Sequence, residues 1–150
     1  MNTLQDIQDF LASKKMAVAG VSRDKKKFGY SVFSHLKQHG FEIAPINPNT
    51  SEIDGTPCFT SVKDLPEGTE NLLVLTPKSK TLEVLSEAEQ KGIKRIWIQQ
   101  MSETPEVMEF TKGKDYSVIS KKCIYMFSEP VSGIHRFHRG ITKLFGQYPK

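Results

Sequence analysis

The chain has 150 residues, enough for one domain to bury a substantial core without disulfide or metal staples, and its 37% hydrophobic and 25% charged content excludes a disordered or fibrous chain. No apolar run approaches the roughly 20 residues that a membrane-crossing helix needs, so no membrane span is expected. The net charge of +4 is concentrated at one end, where Lys121, Lys122, Arg136, Arg139, Lys143 and Lys150 face only Glu129; the first 120 residues hold 15 basic and 16 acidic side chains, which excludes the broad basic surface of a nucleic-acid binder.

Leu4, Ile7, Phe10 and Leu11 recur at helical spacing, which predicts a short amphipathic helix ahead of the first strand, acting as a lid or packing helix. Met16 to Val21 is a short apolar run closed by a glycine-bearing turn, the pattern of a strand buried on both faces. A helix is expected over Tyr30 to Gln38, with Gly40 at its left-handed end. Phe41 to Ile46 reads as a second strand in which Pro45 must occupy an unpaired or terminal position.

The following NPNTSEIDG segment has turn chemistry and leads to an extended piece over Pro57 to Thr60 and a one-turn helix over Ser61 to Leu65. Asn71 to Thr76 is a strong buried strand, Pro77 can open the next helix, and that helix runs from Ser79 to Lys91 with Gly92 ending it. Lys94 to Gln99 supplies another strand, Glu103 to Lys112 another helix started by Ser102 and Pro105, and Tyr116 to Ser120 the last strand. Such alternation predicts a three-layer α/β Rossmann-like domain, a mainly parallel sheet of about five strands with helices on both faces.

In an open parallel sheet the ligand crevice lies at the carboxyl ends of the strands, so the loop after the first strand is the leading candidate site. It reads GVSRDKKKFGYS. Gly20 permits a tight turn and close backbone approach, the Ser22 hydroxyl can bond an anion, and Gly29 to Ser31 stand where a helix N-terminus offers free amides. Arg23, Lys25, Lys26 and Lys27 add four cations, a set suited to phosphate. The loop is not the G-x-G-x-x-G fingerprint, and the acid that usually binds a ribose diol after the second strand is replaced by Asn47-Pro48. An uncharged end tolerates a phosphorylated ribose, which favours coenzyme A over a nicotinamide dinucleotide.

Gly20-Val21-Ser22, Lys27-Phe28-Gly29-Tyr30-Ser31, Ile46-Asn47-Pro48, Thr76-Pro77 and Trp97-Ile98-Gln99-Gln100, in this order and spacing, resemble the CoA-binding domain family, which includes the CoA-binding domain of the succinyl-CoA synthetase alpha subunit. The resemblance spans about residues 14 to 125. It implies a pyrophosphate near Gly20 to Lys27 and an adenosine portion near Asn47-Pro48 and Thr76-Pro77, with Lys78 also well placed. The implied ligand set is Gly20, Val21, Ser22, Arg23, Lys27, Gly29, Tyr30, Ser31, Asn47, Pro48, Thr76, Pro77 and Lys78, and the implied cofactor is coenzyme A or an acyl-CoA. Met101 departs from the family pattern, which usually has glycine there, and so bears on the approach to the pantetheine end. The histidine-bearing second domain of the large synthetases has no counterpart in these residues, so ligase chemistry is not carried over.

No nucleophile and base form a recognisable pair, so the chain reads as a binding module; a nucleotide-dependent enzyme, either an NAD(P) oxidoreductase or an acyl-transfer enzyme, is the alternative. His35 and His39 show no partner in the sequence. His135 and His138 share a helical face in the tail but lack the further ligands a metal requires, so no metal site is expected. Cys58 and Cys123 fit no metal spacing and read as reduced thiols in a cytoplasmic protein; Cys123 follows the last strand and is expected to be a structural cysteine. The boundaries are therefore residues 1–125 for the binding domain and 126–150 for a basic amphipathic extension. Ile134, Phe137, Ile141, Leu144 and Phe145 give that extension an apolar face, expected to pack on the domain or on a second subunit in a homodimer.

Overall fold

The computed structural model describes residues 2–128. The expected tail helix, with His135 and His138, lies outside the described residues. Five parallel strands form the central sheet: β1 (Lys15–Ala19), β2 (Glu42–Ile46), then, after a short hairpin of β3 (Glu52–Ile53) and β4 (Thr56–Pro57), β5 (Asn71–Val74), β6 (Arg95–Gln99) and β7 (Ser117–Lys122). Their spatial order is β2-β1-β5-β6-β7. The helices are α1 (Leu4–Ala12), α2 (Phe28–Gln38), α3 (Lys78–Lys91) and α4 (Pro105–Phe110), with single 3-10 turns at Val62–Asp64 and Ile124–Met126.

Because successive strand residues face opposite ways, each strand divides its apolar side chains between two cores. On one face Met16, Val18, Leu73, Trp97 and Ile119 meet Ile7 and Phe10 of α1 and Val32, Phe33 and Leu36 of α2. On the other, Ala17, Ala19, Leu72, Val74, Ile96 and Ile98 meet Leu85 and Ala88 of α3 and Val107 of α4. The layers are thus helix, sheet, helix, in agreement with the fold expected from the alternation of strands and helices.

α1 is a packing helix. Thr3 and Asp6 form a capping box at its start, and Phe10 meets the buried Trp97 edge-on with ring centroids 5.5 Å apart. Its far end is tied to the sheet by the buried Asn71, whose Nδ2 donates to the Phe10 carbonyl at 3.1 Å and to Ser13 Oγ at 2.9 Å.

Pro45 sits in the middle of β2, which its missing donor would forbid in a central strand. β2 is the edge of the five-stranded sheet, and the Pro45 carbonyl points outward to accept from Phe59 N–H at 2.9 Å. The absent N–H of the same residue lies on that same outer side, so no bond to β1 is lost. The NPNTSEIDG segment was expected to be loop, but it contains β3 and the turn into β4. Asp54 and Gly55 both have positive φ, 48° and 74°, the conformation of a two-residue hairpin turn.

Two helix starts differ from expectation. α2 begins at Phe28, two residues before Tyr30. α4 is capped by Thr104, whose side chain accepts from Val107 N–H, and Ser102 is buried in the preceding turn. The shorter α4 follows from this later cap. His35 and His39 are also partnered: His35 Nε2 lies 3.0 Å from Ser128 Oγ, His39 Nδ1 lies 2.7 Å from the His35 carbonyl, and the rings stack at 4.3 Å.

Asn71→Ala should lower stability by about 2 kcal/mol, because the Phe10 carbonyl is left buried without a partner, and urea unfolding would show it. An unchanged denaturation midpoint would remove Asn71 as the link between α1 and β5.

Candidate functional site

The order β2-β1-β5-β6-β7 reverses direction at β1, where α2 leads outward to β2 and the later strands are added on the other side. Side chains and backbone from the β1 and β5 loops therefore meet at the carboxyl ends of these two strands, where an open sheet forms its crevice.

Gly20 ends β1 with φ of +90°, and a Cβ there would stand 2.8 Å from the Leu75 carbonyl carbon. Gly29, in the first turn of α2, is fitted so closely to the same loop that a Cβ would overlap the Gly20 carbonyl oxygen. These two glycines let three backbone segments touch: the β1 loop, the start of α2 and the β5 loop. Asn47 secures the arrangement from the β2 side. Its Nδ2 donates to the Val21 carbonyl at 2.8 Å and its Oδ1 accepts from Asn49 N–H at 2.7 Å. The Asn47 amide thus holds the loop in place.

Among the described residues no side chain caps α2, whose N-cap residue is Lys27, and none caps α3, whose N-cap residue is Pro77. Both helices open onto the carboxyl end of the sheet, and the first amides of each lack an intrahelical acceptor. Arg23, Lys25, Lys26 and Lys27 are exposed beside α2, and none of the four forms an ion pair among the described residues. The Ser22 hydroxyl accepts from Asp24 N–H at 3.0 Å and retains its own proton to donate. This donor set, backbone amides with a hydroxyl and several cations, suits a phosphate group.

The other residues of the expected set are placed as follows. Thr76 is buried, with its Oγ1 3.1 Å from Thr81 Oγ1 in the first turn of α3. Pro48, Pro77 and Lys78 are exposed around the same end of the sheet. Tyr30 and Ser31 are turned to protein partners: the Tyr30 hydroxyl donates to the Asp54 carboxylate of the hairpin turn, and Ser31 Oγ shares a 2.7 Å hydrogen bond with the Tyr125 hydroxyl. The hydrogen bond to Asp54 pushes the Tyr30 phenol above its ordinary pKa. Burial does the same to Tyr125, while its bond to Ser31 opposes the shift.

Asp54 and Tyr125 were not singled out in the sequence. Asp54 could have been found from its Asp-Gly turn signal; Tyr125 reaches α2 only through tertiary packing. Phe28 and Met101 are the exposed large hydrophobic residues among those described, 47% and 71% accessible. Cys58 and Cys123 are free thiols, both half-buried.

Residues 14–129 match the model of the CoA binding domain family. The chain belongs to that family. An ADP-forming acetate–CoA ligase II of Archaeoglobus fulgidus is 30% identical across 98% of this chain, which corresponds to 22% of the ligase. The alpha subunit of an ADP-forming acetate–CoA ligase II from Pyrococcus furiosus is 34% identical over 59% of the chain and 20% of that subunit, so the chain spans about a fifth of the length of these curated relatives. A solved hypothetical protein from Pyrococcus horikoshii has nearly the same extent, with a TM-score of 0.77 at 25% identity over 89% of this chain and 98% of that one. As a CoA-binding domain of this architecture, the chain has the resemblance and the fold class that its sequence implied.

Family membership also gives meaning to Met101, which stands where the pattern usually has glycine. Its φ of +80° is in the left-handed region, one that a side chain adopts at a cost. Met101→Gly should therefore stabilise the protein by about 0.5 to 1 kcal/mol, the relieved strain exceeding the added freedom of the unfolded chain. Gly29→Ala should do the opposite, costing about 2 kcal/mol or more through overlap with the Gly20 carbonyl, whereas Gly92→Ala, with open space around it, should cost only about 1 kcal/mol. Thermal unfolding of the three variants checks this ranking, and equal losses at Gly29 and Gly92 would refute the close fit of α2 to the loop.

Proposed function

We propose that the protein binds coenzyme A or an acyl-CoA at the β1–α2 loop, as a binding module and not through a reaction of its own. The observation that carries the reading is the start of α2, held against the Gly20 carbonyl by Gly29 and, among the described residues, without a side-chain cap and flanked by four cations without ion-pair partners. In this reading the pyrophosphate lies over Gly20, Val21 and Ser22 and the amides of Phe28, Gly29 and Tyr30, with Arg23 and Lys27 neutralising its charge. The adenosine portion lies toward Asn47-Pro48 and Thr76-Pro77, with Lys78 beside it. Tyr30, Ser31 and Asn47 serve the site by fixing its walls.

The names of the relatives support the ligand, since the acetate–CoA ligases act on coenzyme A. An NAD(P)-dependent reaction is less well supported, because Asn47-Pro48 and not an acid stands directly at the end of β2 and the Asn47 amide is engaged with the loop. No helix among the described residues is long and apolar enough to cross a membrane. We infer a cytoplasmic protein, in keeping with its two free cysteines; of the expected extension over residues 126–150, Met126, Phe127 and Ser128 are buried in the domain, and we assign the residues after them to a basic extension that packs on the domain or on a second subunit.

Titration calorimetry with coenzyme A should show saturable binding that weakens with salt. Lys27→Ala should reduce the affinity about fivefold, the effect of one exposed charge-assisted bond of about 1 kcal/mol. Absence of heat with coenzyme A and with short acyl-CoAs at millimolar concentration would refute the reading, and tight NAD(P)H binding with enhanced fluorescence would favour the oxidoreductase instead.

A further inference from the structure

Met101 combines three properties that a surface residue seldom shares. Its backbone is in the left-handed region at φ +80°, its apolar side chain is 71% exposed, and it follows the carboxyl end of β6. Strain of this kind is retained where the surrounding structure enforces it, and it concentrates at ligand sites. Here the enforcement is visible. The Gln100 N–H donates to the Lys122 carbonyl at 3.2 Å, Gln99 Oε1 accepts from Ile124 N–H at 3.0 Å, and Ser102 N–H returns to the Gln99 carbonyl at 2.9 Å. The turn carrying Met101 is fixed on both sides by these bonds.

The other exposed large hydrophobic residue among those described, Phe28, belongs to the same end of the sheet. It is the first residue of α2, and its ring meets Tyr125 edge-on at 5.9 Å. Tyr125 lies in the 3-10 turn that Gln99 holds through Ile124. Exposed apolar side chains thus stand at the start of α2 and after β6, and the turn carrying Tyr125 contacts the elements that bear both.

The position of Met101 fits the reach of a pantetheine arm. From phosphates at β1, an arm directed away from β2 crosses the ends of β5 and β6. Two strand spacings are about 10 Å. A pantetheine arm, as long as four or five extended residues, reaches about 15 Å. On that course its thiol reaches the end of β6, where the exposed Met101 side chain stands.

We propose that Met101, with Phe28, forms a wall for the acyl chain of a thioester, making Met101 a specificity-determining residue that favours medium-chain acyl-CoAs over free coenzyme A. The inference rests on coenzyme A binding at the β1–α2 loop. A thioether on a flexible stem adapts to an alkyl chain of varying length, and each methylene half covered adds to the preference.

Calorimetry on the full chain with coenzyme A, acetyl-CoA and hexanoyl-CoA tests this. Hexanoyl-CoA should bind about tenfold more tightly than coenzyme A, from four additional methylenes about half buried. In Met101→Gly, and in Met101→Gln, which keeps the length and the backbone demand but not the apolar surface, that ratio should fall to within about twofold of one. A wild-type ratio near one, or a tenfold ratio unchanged in both variants, would overturn the proposal while leaving coenzyme A binding intact. Failure of the folded wild-type chain to bind coenzyme A at all would overturn the proposed function and this inference with it.

Discussion

The site depends on one steric constraint, the contact between the first turn of α2 and the carbonyl of Gly20, which no side chain larger than a hydrogen atom at position 29 allows. Because the helix begins so close to the strand, its free amides open directly onto the end of β1 and are not displaced by a longer loop. The second glycine contact, between Gly20 and the Leu75–Thr76 backbone, brings the start of α3 to the same crevice. Two helix N-termini and their partial positive charges therefore converge on one point, and the cationic loop between Gly20 and Gly29 adds full charges to them.

Around this contact the protein is arranged to keep the loop fixed. Asn47 bonds it from β2, the Tyr30–Asp54 bond anchors α2 to the hairpin, and the Ser31–Tyr125 bond anchors α2 to the turn after β7. These three attachments come from three separate parts of the chain. They make a pre-formed seat whose cations remain free to approach a ligand, and a seat of this kind loses little order on binding. A hollow of about 480 Å³ at the opposite, amino-terminal end of the sheet differs in this respect. Its rim carboxylates Glu42, Glu67 and Glu70 are each engaged by a cation, Glu42 by Lys15, Glu67 by Lys91 and Glu70 by both Lys94 and Arg95, so the charges there are paired within the protein.

Much of this was legible in the sequence, for identifiable reasons. Runs such as Met16–Val21 and Asn71–Thr76 are apolar throughout because parallel strands are buried on both faces, and the glycine, proline and asparagine positions between them mark turns by their own backbone limits. The cationic loop was visible because its charges are adjacent in the chain. What could not be read was whatever depends on distant residues. Tyr30 and Ser31 lie in a motif that suggests ligand contact, yet their hydroxyls bond Asp54 and Tyr125, 24 and 94 residues away. The partner of His35 is likewise 93 residues distant. The role of Met101 was only half legible: the sequence showed an unusual residue, and the positive φ explains why glycine suits the position.

We propose that the amides at the start of α2 hold the phosphates of coenzyme A. This is tested most directly by titrating 15N-labelled protein with coenzyme A and following the backbone amide resonances. The largest shifts should fall on Phe28, Gly29 and Tyr30, with smaller ones on Val21 and Ser22. Shifts centred instead on the amino-terminal end of the sheet, around Lys15, Glu70 and Asn71, would contradict it.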